Sequence, residues 1–292
     1  MKKLIALLVT LILALPAAAL SETVIASFFP IYLFADMLLH DTEGVQLYTL
    51  ADSQIGCLHD YALTSGDLRK LDAADVFLIN GAGMEAFLPM VTDAFPDLPV
   101  IDASQGIDLL PSLSGETEFN AHIWLDPMQA MQMCRTLADG LIQYCPEQKT
   151  QILHNLALAE NQFTQLDKTL NDGLAQLARR DIVTFHEAFP YFARRYGLTV
   201  DAVIALEPDE ALSAGALATL IEEIVAWNLP PLFTEPQYPS LTAQVVHDET
   251  GAPVYMLDPC VTPPDGELSE DYYFEIMTQN LHVLQTALGA ES

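Results

Sequence analysis

Residues 147–179 read EQKTQILHNLALAENQFTQLDKTLNDGLAQLAR, and their reading organises the rest of the chain. Apolar side chains fall at Ile152, Leu156, Ala159, Phe163, Leu166, Leu170, Leu174 and Leu177, in steps of three and four with polar residues between. That is the period of an amphipathic helix with one buried stripe. Pro146 suits a first turn, and no proline interrupts residues 147–179. Roughly 30 residues at about 1.5 Å each give about 45 Å, more than one small domain needs. A coiled-coil arm is the alternative, but no heptad continues beyond the stretch. The spacing predicts a strut over Glu147–Arg179 that joins two lobes.

On both sides of the strut, short apolar strands alternate with helical patterns. Before it, strands are expected at Val24–Phe28, Val45–Leu50, Val76–Asn80 and Val100–Ile101, with helices near Ile31–Leu39, Ser65–Leu71, Met84–Phe95 and Pro127–Tyr144. After it, strands are expected at Ile182–Phe185, Thr199–Ile204, Pro231–Thr234 and Val254–Leu257. Helices are expected there near Glu187–Tyr196, Ser213–Trp227, Ser240–Glu249 and Asp271–Leu288. Such alternation implies parallel sheets covered on both faces. The fold class is therefore α/β, with two similar lobes of about four parallel strands each, joined by one long rigid helix. The expected division is 1–19 leader, 20–146 first lobe, 147–180 linking helix and 181–292 second lobe. No sequence repeat accompanies the architectural one.

The chain opens Met1-Lys2-Lys3, runs apolar from Leu4 to Leu15, and reaches Pro16-Ala17-Ala18-Ala19. A basic start, a short apolar run and small residues describe a secretory signal with cleavage expected after Ala19. The run is short for a membrane span, which wants roughly 20 residues. No cysteine stands at the cleavage site, so an exported, periplasmic or extracytoplasmic protein without a lipid anchor is expected. Losing Lys2 and Lys3 moves the formal charge from −29 to −31. A surface this acidic repels nucleic acid and anionic lipid and suits a cationic cargo. Acidity alone does not make a metal site, since it also serves solubility.

Of four cysteines, Cys134 and Cys145 fall on one predicted helix about 16 Å apart, too far to pair. Cys57 stands beside His59 and Cys260 beside Asp258, and a disulfide between them is expected if those two regions close on one site. For Cys134 and Cys145, free buried thiols are the alternative.

Seven histidines are present, and position separates them. His59 follows the second strand, His122 precedes a helix, and His186 and Asp258 end strands of the second half. In open α/β sheets, ligands bind outside the carboxyl ends of the strands. His59, His122, His186 and Asp258 would line a cleft from both lobes. Three imidazoles and one carboxylate make a closed four-coordinate site that favours zinc over manganese and binding over catalysis. The spacing is unspecific, and capping or core roles remain the alternative for each residue. His40, His154, His247 and His282 are assigned to surface or helix positions. Gly81-Ala82-Gly83-Met84-Glu85-Ala86 outlines a dinucleotide-binding turn, with Asp102 further on. It follows the third strand and not the first, so a tight strand-to-helix turn is the favoured reading.

Several of these stretches together resemble the metal-binding proteins of ABC importers of the ZnuA/TroA type. Cys57–Leu71 with Thr64-Ser65-Gly66-Asp67 resembles the family's first ligand loop, and His122-Ile123-Trp124-Leu125-Asp126-Pro127 its most recognisable motif. His186-Glu187-Ala188-Phe189-Pro190-Tyr191 through Leu198, Thr234-Glu235-Pro236-Gln237 and Leu257-Asp258-Pro259 resemble later landmarks, in order along nearly the whole chain. The resemblance implies His59, His122 and His186 as ligands, with Asp258 as fourth ligand or close neighbour. Glu235 is a candidate to orient a ligand imidazole, with a hydrogen bond to a loop backbone as the alternative. Glu207, in Leu206-Glu207-Pro208, which is similar to a family turn near the cleft, is a weaker candidate of the same kind. It also implies a non-enzymatic, monomeric binding protein that delivers zinc to a cognate permease and its ATPase. Manganese-type members tend to carry a carboxylate where His186 stands, so Zn2+ is favoured over Mn2+ or iron. An adhesin-like second role and, from another class, a zinc hydrolase stay open. Two departures matter. The stretch Leu113–Glu118 replaces the histidine-rich loop of many zinc members, and Leu58 replaces the usual proline before the first ligand.

Overall fold

The computed structural model describes residues 21–51, 58, 61–112, 118–204, 213–228, 230–236 and 241–289. The chain begins with β1 (Glu22–Ala26), α1 (Phe29–Leu39), β2 (Val45–Thr49), α2 (Ser65–Asp72), β3 (Val76–Ile79), α3 (Leu88–Ala94) and β4 (Val100–Asp102). Two helices come after these, α4 (Pro127–Tyr144) and α5 (Lys149–Leu174). Next are β5 (Asp181–Thr184), α6 (Pro190–Tyr196), β6 (Thr199–Val203), α7 (Ala214–Ala226) and β7 (Leu232–Thr234). The last elements are α8 (Leu241–Thr250), β8 (Val254–Met256) and α9 (Tyr272–Leu288).

Among the described residues the strands form two four-stranded sheets, ordered β2-β1-β3-β4 and β6-β5-β7-β8, with every pairing parallel. The central strand β3, Val-Phe-Leu-Ile, is buried on both faces, as a parallel strand under helices must be. The two lobes thus repeat one topology with unrelated side chains, which explains why no repeat shows in the sequence.

The strut exists and is shorter than the periodicity suggested. Its apolar stripe is buried at Ile152, Ala159, Phe163, Leu166, Leu170 and Leu174, and 26 residues make up the regular helix. It stops after Leu174 because its exit is captured. Arg180 donates to the carbonyls of Leu174 and Ala175 at 3.0 and 3.2 Å. The amides of Ala178 and Arg179 donate to Leu288 O at the end of α9. A basic side chain on the last carbonyls is a favourable helix end. Phe163 is fully buried, 6.0 Å ring to ring from Phe34 on α1, and 5.5 and 5.0 Å from Tyr273 and Phe274 on α9. One aromatic side chain of α5 therefore binds helices of both halves of the chain.

Two predicted helices start late, each for a local reason. Pro89 and Pro190 sit in the first turns of α3 and α6, where a missing N–H costs nothing. Before α3 the chain makes a tight turn with positive φ at Gly81, Ala82 and Gly83. Its amides are already satisfied, because the Glu85 carboxylate accepts from Asn80 N at 2.8 Å and Gly81 N at 3.1 Å. A Cβ on Gly81 would collide with Asp102 Oδ1. The anion-binding face of this turn is filled by the protein's own carboxylate, so it serves as a turn and not as a dinucleotide cradle. Burial pushes Glu85 up to about 7, against the opposing pull of those amides.

A charged cluster ties α4, α5 and α6 together. Arg195 Nε stands 2.6 Å from Asp167 Oδ1 and 3.4 Å from Asp126 Oδ1, and Tyr196 donates to Asp167 at 3.0 Å. The Arg195 hydrogen bond, aided by that of Tyr196, holds the Asp167 carboxyl below the ordinary range despite burial.

Both the aromatic packing and the charged cluster can be tested by substitution. Phe163→Ala is expected to cost about 3–5 kcal/mol, as large aromatic-to-alanine changes in cores do, read as a lower urea midpoint. Asp167 binds its proton less readily folded than unfolded, so its contribution is present above about pH 4 and fades as pH falls through its lowered value. Asp167→Asn is expected to unfold at lower temperature at pH 7 and to lose less further stability between pH 5 and 3 than the parent. Equal losses on acidification would show that Asp167 contributes nothing.

Candidate metal site between the lobes

His186 lies two residues after β5, and His122 precedes a short 3-10 turn, Ile123–Leu125, that runs into α4. Asp126 fixes the start of α4, its Oδ1 accepting from Met128 N at 2.9 Å and Gln129 N at 3.4 Å, with Pro127 in the first turn. Both imidazoles are 2% exposed. Their Nε2 atoms lie 3.0 Å apart, with the rings near perpendicular at 79°. Two nitrogens bound tetrahedrally to one zinc at about 2.0–2.1 Å would lie about 3.3 Å apart. The pair is thus close to the spacing of two ligands on one ion.

The surroundings hold His122 rigidly. Its ring lies 5.2 Å from that of Trp124, which is itself 5.3 Å from Phe28. Trp124 Nε1 donates across the lobes to Pro259 O at 2.7 Å, and Tyr273 donates to Trp124 O at 2.6 Å. Asn120, buried, accepts at Oδ1 from the His122 amide at 2.9 Å, with His122 Nδ1 at 3.3 Å from the same oxygen. Asn120 Nδ2 donates to Glu187 O at 2.8 Å and Glu187 Oε1 at 3.0 Å. Tyr191 donates to Asn120 O at 2.8 Å and accepts from Leu110 N at 2.9 Å.

Asp258, just beyond β8, sits in a rigid frame. Its amide donates to Asn280 Oδ1 at 2.8 Å, its carbonyl accepts from Asn280 Nδ2 at 2.7 Å, and its Oδ1 accepts from Cys260 N at 2.8 Å. Burial pushes the Asp258 carboxyl up, and the Cys260 amide opposes this. Glu235, directly after β7 and 2% exposed, is pushed well above the usual range by burial and then by the Asp258 charge. The two carboxylates sit close enough to feel each other. A cation placed nearby would reverse these shifts.

Of the expected residues, the structure brings His122 and His186 together and places Asp258 and Glu235 at strand ends of the second sheet. His59, Glu207 and Cys57 lie outside the described residues. Among the described residues no group of three or more His, Cys, Asp or Glu gathers at metal-holding distance. Near the first of these, Tyr61 donates to Asp67 Oδ2 at 2.7 Å. Thr64 and Asp67 close a capping box at the start of α2, so the chain is fixed two residues beyond His59. Cys260 is a free, buried thiol, as are Cys134 and Cys145, while Cys57, the partner expected for Cys260, lies outside the described residues. Cys260 takes a left-handed backbone, φ 60°, and uses its amide to hold Asp258. Burial, then the Asp258 charge, pushes its thiol well up. His40, His154, His247 and His282 are exposed, as assigned. Asn120, Asn280 and Tyr273 escaped the sequence reading, because nothing but the tertiary fold carries Asn280 or Tyr273 to the site. Asn120, two residues before His122, had proximity as a signal.

Known proteins resemble this chain along nearly its whole length. The zinc-binding lipoprotein AdcA of Streptococcus pneumoniae is 28% identical over 284 residues, 92% of this chain and 56% of AdcA. The high-affinity zinc uptake system protein ZnuA of Bacillus subtilis is 26% identical over 92% of this chain and 88% of its own length. The chain therefore spans about half the length of its AdcA relatives. A crystal structure of a ZnuA 138–173 deletion mutant with zinc bound superposes with a TM-score of 0.79 at 26% identity, covering 93% of this chain and all of that one. The model of the family described as zinc-uptake complex component A, periplasmic, matches residues 24–287. By that match, and in keeping with the two-lobe fold and the paired imidazoles, the chain belongs to the ZnuA family.

Proposed function

We propose that this protein captures a zinc ion between its lobes and delivers it to the permease of an ABC importer, without catalysing a reaction. The observation that carries the reading is the approach of His122 and His186, from opposite lobes, to 3.0 Å between Nε2 atoms. His59 and Asp258 are proposed to complete the donor set, with Glu235 and Glu207 orienting ligand imidazoles. Nitrogen-rich donors with one carboxylate favour zinc over manganese. Residues 20–146 and 181–292 are read as the two metal-binding lobes around the helix of 147–180. The leader of residues 1–19 supports export, and the working form is a monomer.

Release needs lobes that can part, and the polar contacts at the cleft are local ones: Trp124 donates to Pro259 O, and Asn120 to the main chain and carboxylate of Glu187. A hydrolase would need a free general base beside the metal. Glu187 is the acid next to His186, but its oxygens accept from Asn120 at 3.0 Å and Ser112 at 3.3 Å, which suits a structural tie.

Competition titration of metal-stripped protein with zinc and manganese at pH 7.5 tests this reading. One zinc is expected to bind tightly and to survive excess manganese. His122→Ala and His186→Ala are each expected to lose more than the roughly 10–100-fold that outer groups contribute. Preference for manganese would keep the fold and change the cargo, and binding of neither would refute the site. Metal competes with protons for imidazole and carboxylate. Affinity is therefore expected to fall as pH drops through about 6.5, and further through the raised value of Asp258. Unchanged affinity between pH 7.5 and 5 would contradict a histidine site.

A further inference from the structure

Asn120 occupies a position whose chemistry leaves no freedom in how its amide is turned. The His122 backbone N–H can only donate, so the atom 2.9 Å from it must be the Asn120 oxygen. The Glu187 carbonyl can only accept, so the atom 2.8 Å from it must be the Asn120 nitrogen. The two ends agree. That oxygen also lies 3.3 Å from His122 Nδ1, and an amide oxygen has no hydrogen to offer. A hydrogen bond between the two requires a proton on Nδ1, and in a neutral imidazole Nε2 is then the bare nitrogen, on the side where His186 Nε2 stands 3.0 Å away. At its other end the same side chain holds the main chain and carboxylate of Glu187, the residue next to His186.

We propose that Asn120 is a positioning residue for metal capture: it sets the Nδ1–H tautomer of His122 and ties that ligand to the segment of the opposite lobe that carries His186. This deepens the zinc-binding reading and rests on it. Histidine ligands generally need a partner on the second nitrogen to fix ring and tautomer, and here that partner is a neutral amide. A carboxylate in its place would put a second negative charge against Glu187. An amide alone satisfies His122 by its oxygen and Glu187 by its nitrogen. Asn120 itself is held at its carbonyl by Tyr191, whose hydroxyl accepts from Leu110 N. The tie is thus anchored in both lobes.

The test uses the full mature chain, 15N-labelled and stripped of metal, with zinc as the probe ligand. Long-range 1H–15N correlation of the imidazoles at pH 7.5 reports which ring nitrogen of His122 bears the proton, and the resonances are assigned by their loss in His122→Ala. The wild type is expected in the Nδ1–H form. Asn120→Ala should populate the Nε2–H form and bind zinc about 10–100-fold more weakly, the range usual for groups behind a ligand. Asn120→Asp, which keeps the acceptor, should keep the Nδ1–H form, a split that loss of packing alone would not produce. Asn120→Leu removes the acceptor while filling the volume and takes the place of the alanine variant should that one not fold. An Nδ1–H His122 and zinc affinity within about twofold of wild type in Asn120→Ala or Asn120→Leu would overturn the proposal. If His122→Ala still bound zinc as tightly as wild type, the ligand reading would fail instead, while the tautomer measurement would still judge Asn120 separately.

Discussion

The packing of Phe163 on α5 against Phe34 of α1 and against Tyr273 and Phe274 of α9 is the constraint on which the rest depends. These rings come from three separate helices, and all are brought together by one buried stripe on one of them. Apolar burial of this kind is non-directional, but interlocked rings are not, and T-shaped contacts fix relative orientation. A single continuous core runs from β1 and α1 through α4 and α5 to α9 and includes Tyr191, Phe192 and Leu257 near the cleft. A smaller core fills the second sheet beneath α7 and α8. The first sheet and the strut therefore form one body, and the outer part of the second sheet has its own interior.

With the strut in place, His122 and His186 meet at 3.0 Å between Nε2 atoms, and Asp258 and Glu235 stand just beyond strands of the second sheet. What then shapes the site is hydrogen bonding more than charge. The Asp258 backbone is held at both its amide and its carbonyl by Asn280, His122 is held by Asn120, and Trp124 reaches across to Pro259. The buried acids Glu235 and Asp258 are unfavourable as bare charges, so each is raised above its ordinary range. In the proposed zinc-binding reading, a divalent cation would offset the charge of these acids, and the net charge of −29 for the whole chain would add long-range attraction for it.

Much of this could be read from residues alone. The 3.6 period of 147–179 and the β-α alternation announced the strut and both sheets, because those patterns express burial directly. His186 could be singled out because strand ends are where such folds place ligands, and His122 because it stands in the stretch His122–Pro127 that resembles the family's most recognisable motif. Other features depended on partners that no local pattern encodes. The strut ends at Leu174, although the apolar period runs on to Leu177, because Arg180 and the end of α9 take over its exit. Helices α3 and α6 carry Pro89 and Pro190 in their first turns, a start that the hydrophobic pattern ignores. The glycine turn after β3 has the outline of a phosphate cradle, but Glu85, four residues beyond Gly81, fills it in a way no motif encodes. The expected bridge from Cys57 to Cys260 rested on nearness to the same site. Cys57 lies outside the described residues; the Cys260 amide turns toward Asp258, and its thiol is free.

The central claim is that one zinc ion sits between the lobes on His122 and His186. Anomalous diffraction at the zinc edge from crystals of the zinc-loaded protein tests it most directly. The account predicts one strong peak about 2.0–2.1 Å from Nε2 of both imidazoles. A zinc peak elsewhere, with both imidazoles uncoordinated, would contradict it.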